Sequence, residues 1–77
     1  MDAKLNSIIA ETLHLPMEQV KDELEMSQVE SWDSLQHMNL VASLEQGFGI
    51  DFTFDEIILM QSVGEIKRVL RGKGVQV

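Results

Sequence analysis

The sequence predicts a small all-α protein, a four-helix bundle of three longer helices and one short helix, with a long loop between helices one and two. Apolar residues recur at helical spacing in separate segments. Three of these segments begin with a residue pair typical of helix capping. The chain has 77 residues and no cysteine, so it must build a marginal core by compact local packing without disulfide bonds. We expect one domain over residues 1–77, with residues 72–77 as a frayed tail.

The first helix is predicted from about Asp2 to His14. Asp2 is a suitable N-cap. Pro16 cannot continue the helix, because it lacks a backbone N–H and restricts the residue before it. The buried face is expected to consist of apolar residues at helical spacing, which are Leu5, Ile8, Ile9 and Leu13.

A long acidic connection is predicted from about Leu15 to Trp32. Scattered apolar residues are expected to pin it to the core, and residues 18–25 can form a helical turn. The acidic run from Asp22 to Glu25 lacks the alternating ligands and central glycine of a calcium loop, so we expect a solvated face. Trp32 is assigned to the core, because large aromatic side chains dominate small cores. The alternative is that Trp32 covers the entrance to an apolar pocket.

The second helix is predicted from about Ser34 to Gln46. Asp33 precedes it as an N-cap, and Gln36 three residues later completes a pattern similar to a capping box. Gly47 and Gly49, which flank Phe48, are expected to end the helix. Its apolar face is expected to comprise Leu35, Met38, Val41, Ala42 and Leu44.

Two further helices complete the bundle. One is predicted from about Phe54 to Met60, and the other from about Val63 to Arg71, where Gly72 stops it. Each begins with a capping box. The capping pairs are Thr53 with Glu56 and Ser62 with Glu65, and the last helix is expected to bury Val63, Ile66, Val69 and Leu70.

The charge distribution excludes one class of function and indicates one kind of partner. The formal net charge is −7, and residues 1–66 hold all 13 acidic residues against two lysines, a balance of 2 − 13 = −11. Nucleic-acid binding requires clustered basic residues, so we exclude it. We expect partners with basic surfaces instead. The other basic residues are expected to compensate the dipole of the last helix, and they are Lys67, Arg68, Arg71 and Lys73.

Neither a secretory signal nor a membrane span is expected. Asp2 and Lys4 open the chain, and no apolar segment typical of a signal peptide follows them. The longest apolar stretch, Phe52 to Met60, is far too short to cross a bilayer. We therefore expect a cytoplasmic protein, and we expect a monomer because of its charge and size.

The sequence holds no recognisable catalytic or metal-binding set. His14 and His37 lie on different predicted elements and lack the spacing partners of zinc sites or activated nucleophiles, so both are interpreted as helix-end or surface histidines. Gly47 and Gly49, which flank Phe48, match neither the Gly-rich dinucleotide-binding motif nor the P-loop motif. We therefore expect no metal and no enzymatic activity. Several large apolar residues are interpreted as packing residues, namely Met17, Met26, Met38, Met60, Phe48, Phe52 and Phe54.

Ser34 is the candidate for a chemical role, although its local sequence by itself favours an ordinary serine at a helix start. A serine in the first turn of a helix is held still, is usually exposed and faces the positive end of the helix dipole, so an attached phosphate is electrostatically favourable there. The alternative is an ordinary helix-start serine whose hydroxyl accepts from a backbone N–H. Asp33 weakens this alternative, because it can cap the helix and leave Ser34 free.

The chain resembles acyl carrier proteins over nearly its whole length. The resemblance combines the size, the acidity, the order of the helices, and the spacing from the serine to Phe48 and on to Val63. The combination is specific, although no single piece is. The residues that carry it are the Leu5/Ile8/Ile9 helix, Asp33-Ser34-Leu35, the segment Leu44-Glu45-Gln46-Gly47-Phe48-Gly49-Ile50, and Ser62-Val63 before a closing helix that ends near Leu70.

The resemblance implies a carrier domain that shelters an acyl chain among its helices or offers it to partner enzymes. A phosphopantetheinyl transferase, using coenzyme A and magnesium, would join a 4'-phosphopantetheine arm to the Ser34 hydroxyl through a phosphodiester. The thiol of the arm would hold an acyl group as a thioester, which is compatible with a chain that has no cysteine. The residues expected to contact loading and transfer enzymes with basic docking surfaces are Asp33, Leu35, Gln36, Met38 and Glu45.

The second helix departs from the carriers of fatty-acid synthesis. Gln36, Asn39 and Gln46 are neutral where acids are common in those carriers, and Trp32 stands where a small residue is frequent. The hypothesis is therefore a specialised free-standing carrier for fatty acid, lipid or polyketide-type biosynthesis. Two alternatives stay open, an aminoacyl or peptidyl carrier and an acidic helical adaptor without a prosthetic group. Regulation by phosphorylation of Ser34 is a third possibility.

Overall fold

The computed structural model of the protein describes residues 3–77. This range confirms the predicted all-α bundle, with three longer helices and one short one. Helix α2 runs two residues further than predicted, to Phe48. The predicted cap Asp2 lies outside the described residues. The helices are α1 (Ala3–Leu13), α2 (Ser34–Phe48), α3 (Phe54–Leu59) and α4 (Val63–Gly72).

The core is built mainly by α1, α2 and α4. Burial of each large apolar side chain contributes about 1.5–3 kcal/mol to stability. Helices α1 and α2 approach closely at Gly47, where a Cβ would lie 2.9 Å from Ile8 Cδ1. Trp32 lies in the core, as predicted. The buried apolar residues are Leu5, Ile9, Ala10 and Leu13 of α1, Leu40, Val41 and Leu44 of α2, Val63, Ile66 and Leu70 of α4, and Val20, Trp32 and Met60 from the connections.

The buried face of α2 differs from the predicted one. Leu35, Met38 and Ala42 are exposed, although the sequence assigned them to the apolar stripe. The side of α2 that meets the core is set by residues three and four positions apart, and this side begins with a histidine rather than with the apolar residues of the first turn. The buried residues of α2 are His37, Leu40, Val41 and Leu44.

The interpretation of methionine and phenylalanine residues as packing residues is confirmed for only part of the set. Met60 is fully buried, and Met26, Phe48 and Phe52 pack against the core. The interpretation is wrong for the exposed residues Met17, Met38 and Phe54. A large apolar side chain alone does not show which side of its segment meets the core.

The long connection contains two 3-10 turns, Met17–Gln19 and Met26–Gln28, and it is held by backbone hydrogen bonds. The Met26 N–H donates to the Gln61 carbonyl oxygen at 2.8 Å, and the Val63 N–H donates to the Leu24 carbonyl oxygen at 3.0 Å. This short antiparallel contact ties the connection to the start of α4. Of its scattered apolar residues, Val20, Leu24, Met26 and Val29 pack on the core as predicted, whereas Met17 is exposed.

The acidic run of the connection is exposed as predicted, but one of its residues also pairs across the fold. Asp22 Oδ1 lies 2.6 Å from Nζ of Lys67, whose side chain is buried. Lys67 therefore anchors the connection on α4. The sequence had suggested that it compensates the dipole of that helix, but it lies outside the last turn. Arg71 lies in the last turn of α4, as expected for dipole compensation.

The chain after α4 turns back onto the molecule, which differs from the frayed tail expected for residues 72–77. The Val75 N–H donates to the Leu70 carbonyl oxygen at 3.0 Å, and Arg71 Nε donates to the Val77 carbonyl oxygen at 2.8 Å. Both valines are partly buried against the core. Their burial depends on apolar surface supplied by other segments, which a local pattern cannot reveal.

Helix α3 contributes no buried residue to the core, and its beginning is held by polar contacts. Thr53 Oγ1 accepts a hydrogen bond from the Glu56 N–H at 3.2 Å, and Glu56 Oε1 accepts one from the Thr53 N–H at 2.8 Å. Lys73 Nζ lies 2.8 Å from Glu56 Oε1. The hydrogen bond from Lys73 and those with Thr53 hold the pKa of Glu56 below its ordinary value of 4.5.

Candidate functional site

Ser34 is the first residue of α2, and its hydroxyl is available for chemistry. Asp33 has an extended backbone, and its Oδ1 accepts a hydrogen bond from the Gln36 N–H at 2.9 Å. Asp33 therefore caps the helix, as predicted. Ser34 is exposed, and its side chain has no hydrogen-bond partner within residues 3–77. The sequence had left a capping role for Ser34 open, and the geometry gives that role to Asp33.

The electrostatic surroundings of Ser34 fit a phosphate ester. Helix α2 has 15 residues, so its aligned peptide dipoles place partial positive charge at its first turn. Among residues 3–77, the backbone N–H groups of Ser34 and Leu35 have no protein acceptor. Free N–H groups at a helix start favour an anion. A phosphodiester on the Ser34 oxygen would lie beside these groups, exposed to solvent and to other proteins.

Exposed apolar side chains lie on the first two turns of α2 and at the end of α3. Leu35 is 69% exposed and Met38 is 52% exposed, and both belong to α2. Ile58 and Leu59 are exposed as well, and they follow Ile57, whose carbonyl oxygen lies 2.9 Å from His37 Nε2 in the first turn of α2. We call Leu35, Met38, Ile58 and Leu59 the apolar rim. Exposed apolar side chains of this kind provide contact area for another macromolecule or for an attached apolar group.

His37 is a buried bridge, and its interpretation as a helix-end or surface histidine is wrong. It is 8% exposed. Trp32 Nε1 donates to His37 Nδ1 at 3.0 Å, and His37 Nε2 lies 2.9 Å from the Ile57 carbonyl oxygen. An indole N–H only donates and a carbonyl oxygen only accepts. His37 is therefore a neutral imidazole with its proton on Nε2, and it links the residue before Asp33 to α3.

The sequence contained one signal that pointed to this bridge. Trp32 was assigned to the core, and a buried indole N–H needs a hydrogen-bond acceptor. His37 lies five residues further along the chain, in the first turn of a helix whose N-cap, Asp33, directly follows Trp32. His14, in contrast, is exposed at the end of α1 with a left-handed φ of 59°, in agreement with the prediction for it.

The structure separates the five predicted partner-contacting residues into two groups. Asp33, Leu35, Gln36 and Met38 lie around Ser34 within the first turns of α2. Glu45 lies about 16 Å further along the helix, at a rise of 1.5 Å per residue. It is half-buried, and its Oε2 accepts from the Phe52 N–H at 3.0 Å, so this carboxylate holds the connection between α2 and α3.

The described residues offer no metal site of the usual kind. Residues 3–77 hold no group of three or more histidine, aspartate or glutamate side chains that could bind a metal ion together. In the same range, the helices are too short or too polar to span a membrane.

Comparisons with known proteins agree with this geometry. Residues 3–70 match the protein family described as phosphopantetheine attachment site. The fold is similar to the solution NMR structure of a holo acyl carrier protein from Geobacter metallireducens, with a TM-score of 0.74 and 26% sequence identity. That similarity covers 100% of this chain and 97% of the other. No curated protein sequence matches the chain.

The family match extends over most of the chain, from the first residue of α1 to Leu70 in α4. The resemblance to acyl carrier proteins that the sequence suggested is therefore confirmed. The expected prosthetic group is confirmed with it, because attachment of phosphopantetheine is what defines the family. The chain belongs to the phosphopantetheine attachment-site family, the carrier domains that include acyl carrier proteins, and it is a carrier of a covalently attached phosphopantetheine rather than an enzyme.

Proposed function

We propose that Ser34 bears the phosphopantetheine arm and that the protein carries acyl groups for a specialised lipid or polyketide-type pathway. The observation that carries the site assignment is the exposed Ser34 hydroxyl, which is free because Asp33 caps the helix. The N–H groups of the first turn of α2 support it, since they favour the negative charge of a phosphodiester.

The attachment reaction requires little from this chain beyond the serine oxygen. The Ser34 oxygen forms a bond to the phosphorus of coenzyme A that bears the pantetheine, and it loses its proton. The bond between that phosphorus and the nucleotide part of coenzyme A breaks, so the nucleotide leaves with the electron pair. A phosphopantetheinyl transferase supplies the catalytic groups and the magnesium ion. Once bound, the arm supplies a thiol that holds cargo as a thioester.

The neutral side chains of α2 support a cargo different from that of the main fatty-acid synthase. Asn39 and Gln46 are exposed, and Asn39 Nδ2 donates to Gln36 Oε1 at 3.3 Å. Amides at these positions attract a basic docking surface less strongly than carboxylates would, so they favour a different set of partners. An aminoacyl or peptidyl cargo remains the alternative.

We further propose which residues meet the loading and transfer enzymes. Leu35 and Met38 are suited to apolar contact, and Asp33 and Gln36 to polar contact, because all four lie close to Ser34 on α2. Glu45 contributes negative charge at a greater distance. A single domain that acts as a monomer in the cytoplasm completes the proposal, and the net charge of −7 supports the monomer through self-repulsion.

Intact-protein mass tests the site. The protein is incubated with coenzyme A, magnesium and a promiscuous phosphopantetheinyl transferase, beside Ser34→Ala and Ser27→Ala. Ser27 is a matched control, because it is an exposed serine outside α2. We expect one added phosphopantetheine on the wild-type chain and on Ser27→Ala, and none on Ser34→Ala. The free energy of unfolding of Ser34→Ala should stay within about 0.5 kcal/mol of the wild type, because the side chain is exposed.

Other mass results would contradict the proposal in defined ways. Addition to Ser34→Ala would move the attachment site to another residue. No addition to a wild-type chain that is folded and not already loaded would favour the adaptor alternative. Once the arm is attached, the main fatty-acid synthase enzymes and adenylating enzymes with amino acids or aryl acids are compared as loading systems. Elongation by the fatty-acid enzymes would refute a specialised cargo, and loading by an adenylating enzyme would favour the aminoacyl alternative.

A further inference from the structure

Helix α3 is held at both ends by polar contacts and has no buried residue of its own. It has six residues, and a helix this short is marginal in water without tertiary support. Glu56 and Lys73 hold its beginning. His37 holds its end through the Ile57 carbonyl oxygen. This second contact is the one that reaches the neighbourhood of Ser34.

The position of His37 on α2 relates α3 to Ser34. Residues three apart on a helix are neighbours in successive turns, so the exposed Ser34 lies one turn before the buried His37. Nε2 of His37 lies 2.9 Å from the Ile57 carbonyl oxygen. The last turn of α3, with the exposed residues Ile58 and Leu59, is therefore held next to the first turn of α2, which begins with Ser34.

We propose that His37 is a positioning residue for the modification of Ser34. It accepts a hydrogen bond from Trp32 and donates one to the Ile57 carbonyl oxygen. It thereby holds Ile58 and Leu59 of α3 in place, so that they and the α2 residues of the apolar rim contact the enzyme that loads Ser34 together. The proposal rests on Ser34 as the attachment site, and it adds a residue that never touches the reacting atoms.

The chemistry of the two contacts explains why a histidine suits this position. The residue has to accept a hydrogen bond on one side and donate one on the other, while it remains neutral in a buried place. Glutamine has the same pair of functions in its amide. Leucine has neither, so it would leave the Trp32 N–H and the Ile57 carbonyl without their partner. The pair of substitutions therefore separates hydrogen bonding from simple filling of space.

The experiment compares the wild-type protein with His37→Gln and His37→Leu, with His14→Asn as control. His14 is exposed at the end of α1, and its left-handed φ is one that asparagine tolerates. Three quantities are measured, namely kcat and KM for phosphopantetheine transfer, amide hydrogen exchange of the unmodified proteins, and the imidazole nitrogen shifts of His37.

For His37→Leu we expect a KM for the carrier that is about fivefold higher with kcat within about twofold, because docking is impaired and the chemistry is not. Amides of α3 should exchange about tenfold faster while those of α1 and α4 keep their protection. His37→Gln should restore both quantities, and His14→Asn should change neither. The nitrogen shifts should show an unprotonated Nδ1 and a protonated Nε2.

Three results would overturn the proposal. His37→Leu could dock and load like the wild type, His37→Gln could be as impaired as His37→Leu, or the nitrogen shifts could show the opposite tautomer. If His37→Leu does not fold, the tautomer of His37 in the wild-type protein and the loading of His37→Gln still test the positioning role. A wild-type protein that accepts no phosphopantetheine at Ser34 refutes the proposed function, whereas unchanged exchange of α3 in unmodified His37→Leu refutes the positioning role by itself.

Discussion

Helices α3 and α4 follow one another and begin with the same kind of sequence, but different forces hold them. Thr53 caps α3 and Ser62 caps α4, each by accepting from the N–H of a glutamate three residues later. Helix α4 then buries Val63, Ile66 and Leu70 fully, whereas α3 packs only the partly buried Ile57 against the core. A capping signal therefore shows where a helix starts, while the segments that pack against the helix decide how stable it is.

The largest expected effect concerns apolar burial in the two helices. Ile66→Ala should lower the free energy of unfolding by about 2–5 kcal/mol, because Ile66 is fully buried in the core. Ile58→Ala on α3 is the matched control, and it should change stability by less than about 0.5 kcal/mol, because Ile58 is 49% exposed. Urea unfolding monitored by circular dichroism measures both. Equal losses would contradict the comparison.

A smaller effect is expected from removal of the two caps. Thr53→Ala and Ser62→Ala each remove an acceptor worth about 1 kcal/mol to its helix. We expect the loss to appear in global unfolding for Ser62→Ala, because α4 is part of the core. For Thr53→Ala we expect faster amide exchange confined to α3. Global destabilisation by Thr53→Ala as large as that by Ser62→Ala would show that α3 unfolds only with the whole domain.

The smallest effect is a dependence on pH at the start of α3. The pKa of Glu56 is lowered by the hydrogen bond from Lys73 and by those with Thr53. A carboxyl with a lowered pKa stabilises the folded state above its ordinary pKa of 4.5 and loses this contribution as the pH falls through the folded value. The protection factors of the α3 amides, which correct for the pH dependence of intrinsic exchange, should therefore fall below about pH 4.5, and Glu56→Gln should remove this dependence. An unchanged pH profile in Glu56→Gln would assign the loss of protection to another carboxyl.

The capping pairs show how local rules succeed and where they stop. Asp33, Thr53 and Ser62 each accept the predicted N–H, because the contact joins residues three apart and needs no other segment. The reciprocal contact of a full capping box is present only for Thr53 with Glu56 among the three pairs. Gln36 accepts from Asn39 instead. Exposed side chains with several possible partners are not determined by spacing alone.

The candidate functional site also combines features that follow from the local sequence with features that depend on tertiary packing. The cap Asp33 and the place of Ser34 at a helix start follow from a few neighbouring residues, so the sequence was sufficient to predict them. The exposure of Leu35 and Met38 and the burial of His37 were not predictable from the pattern of apolar residues. They depend on which side of α2 meets the core, and a hydrogen-bonded histidine occupies a place where the pattern favoured an apolar residue.

The sequence by itself determined the helical class, the starts of α2, α3 and α4, the acidic character and the place of Ser34 directly after its cap. These features depend on composition, on the periodicity within single segments and on contacts between residues a few positions apart. The tertiary structure alone decided which face of α2 is buried, that Lys67 pairs with Asp22, that the last valines pack against the core, and that His37 joins Trp32 to α3. These features bring together residues from different segments. Their free energy comes from burial and from partners that no local pattern contains.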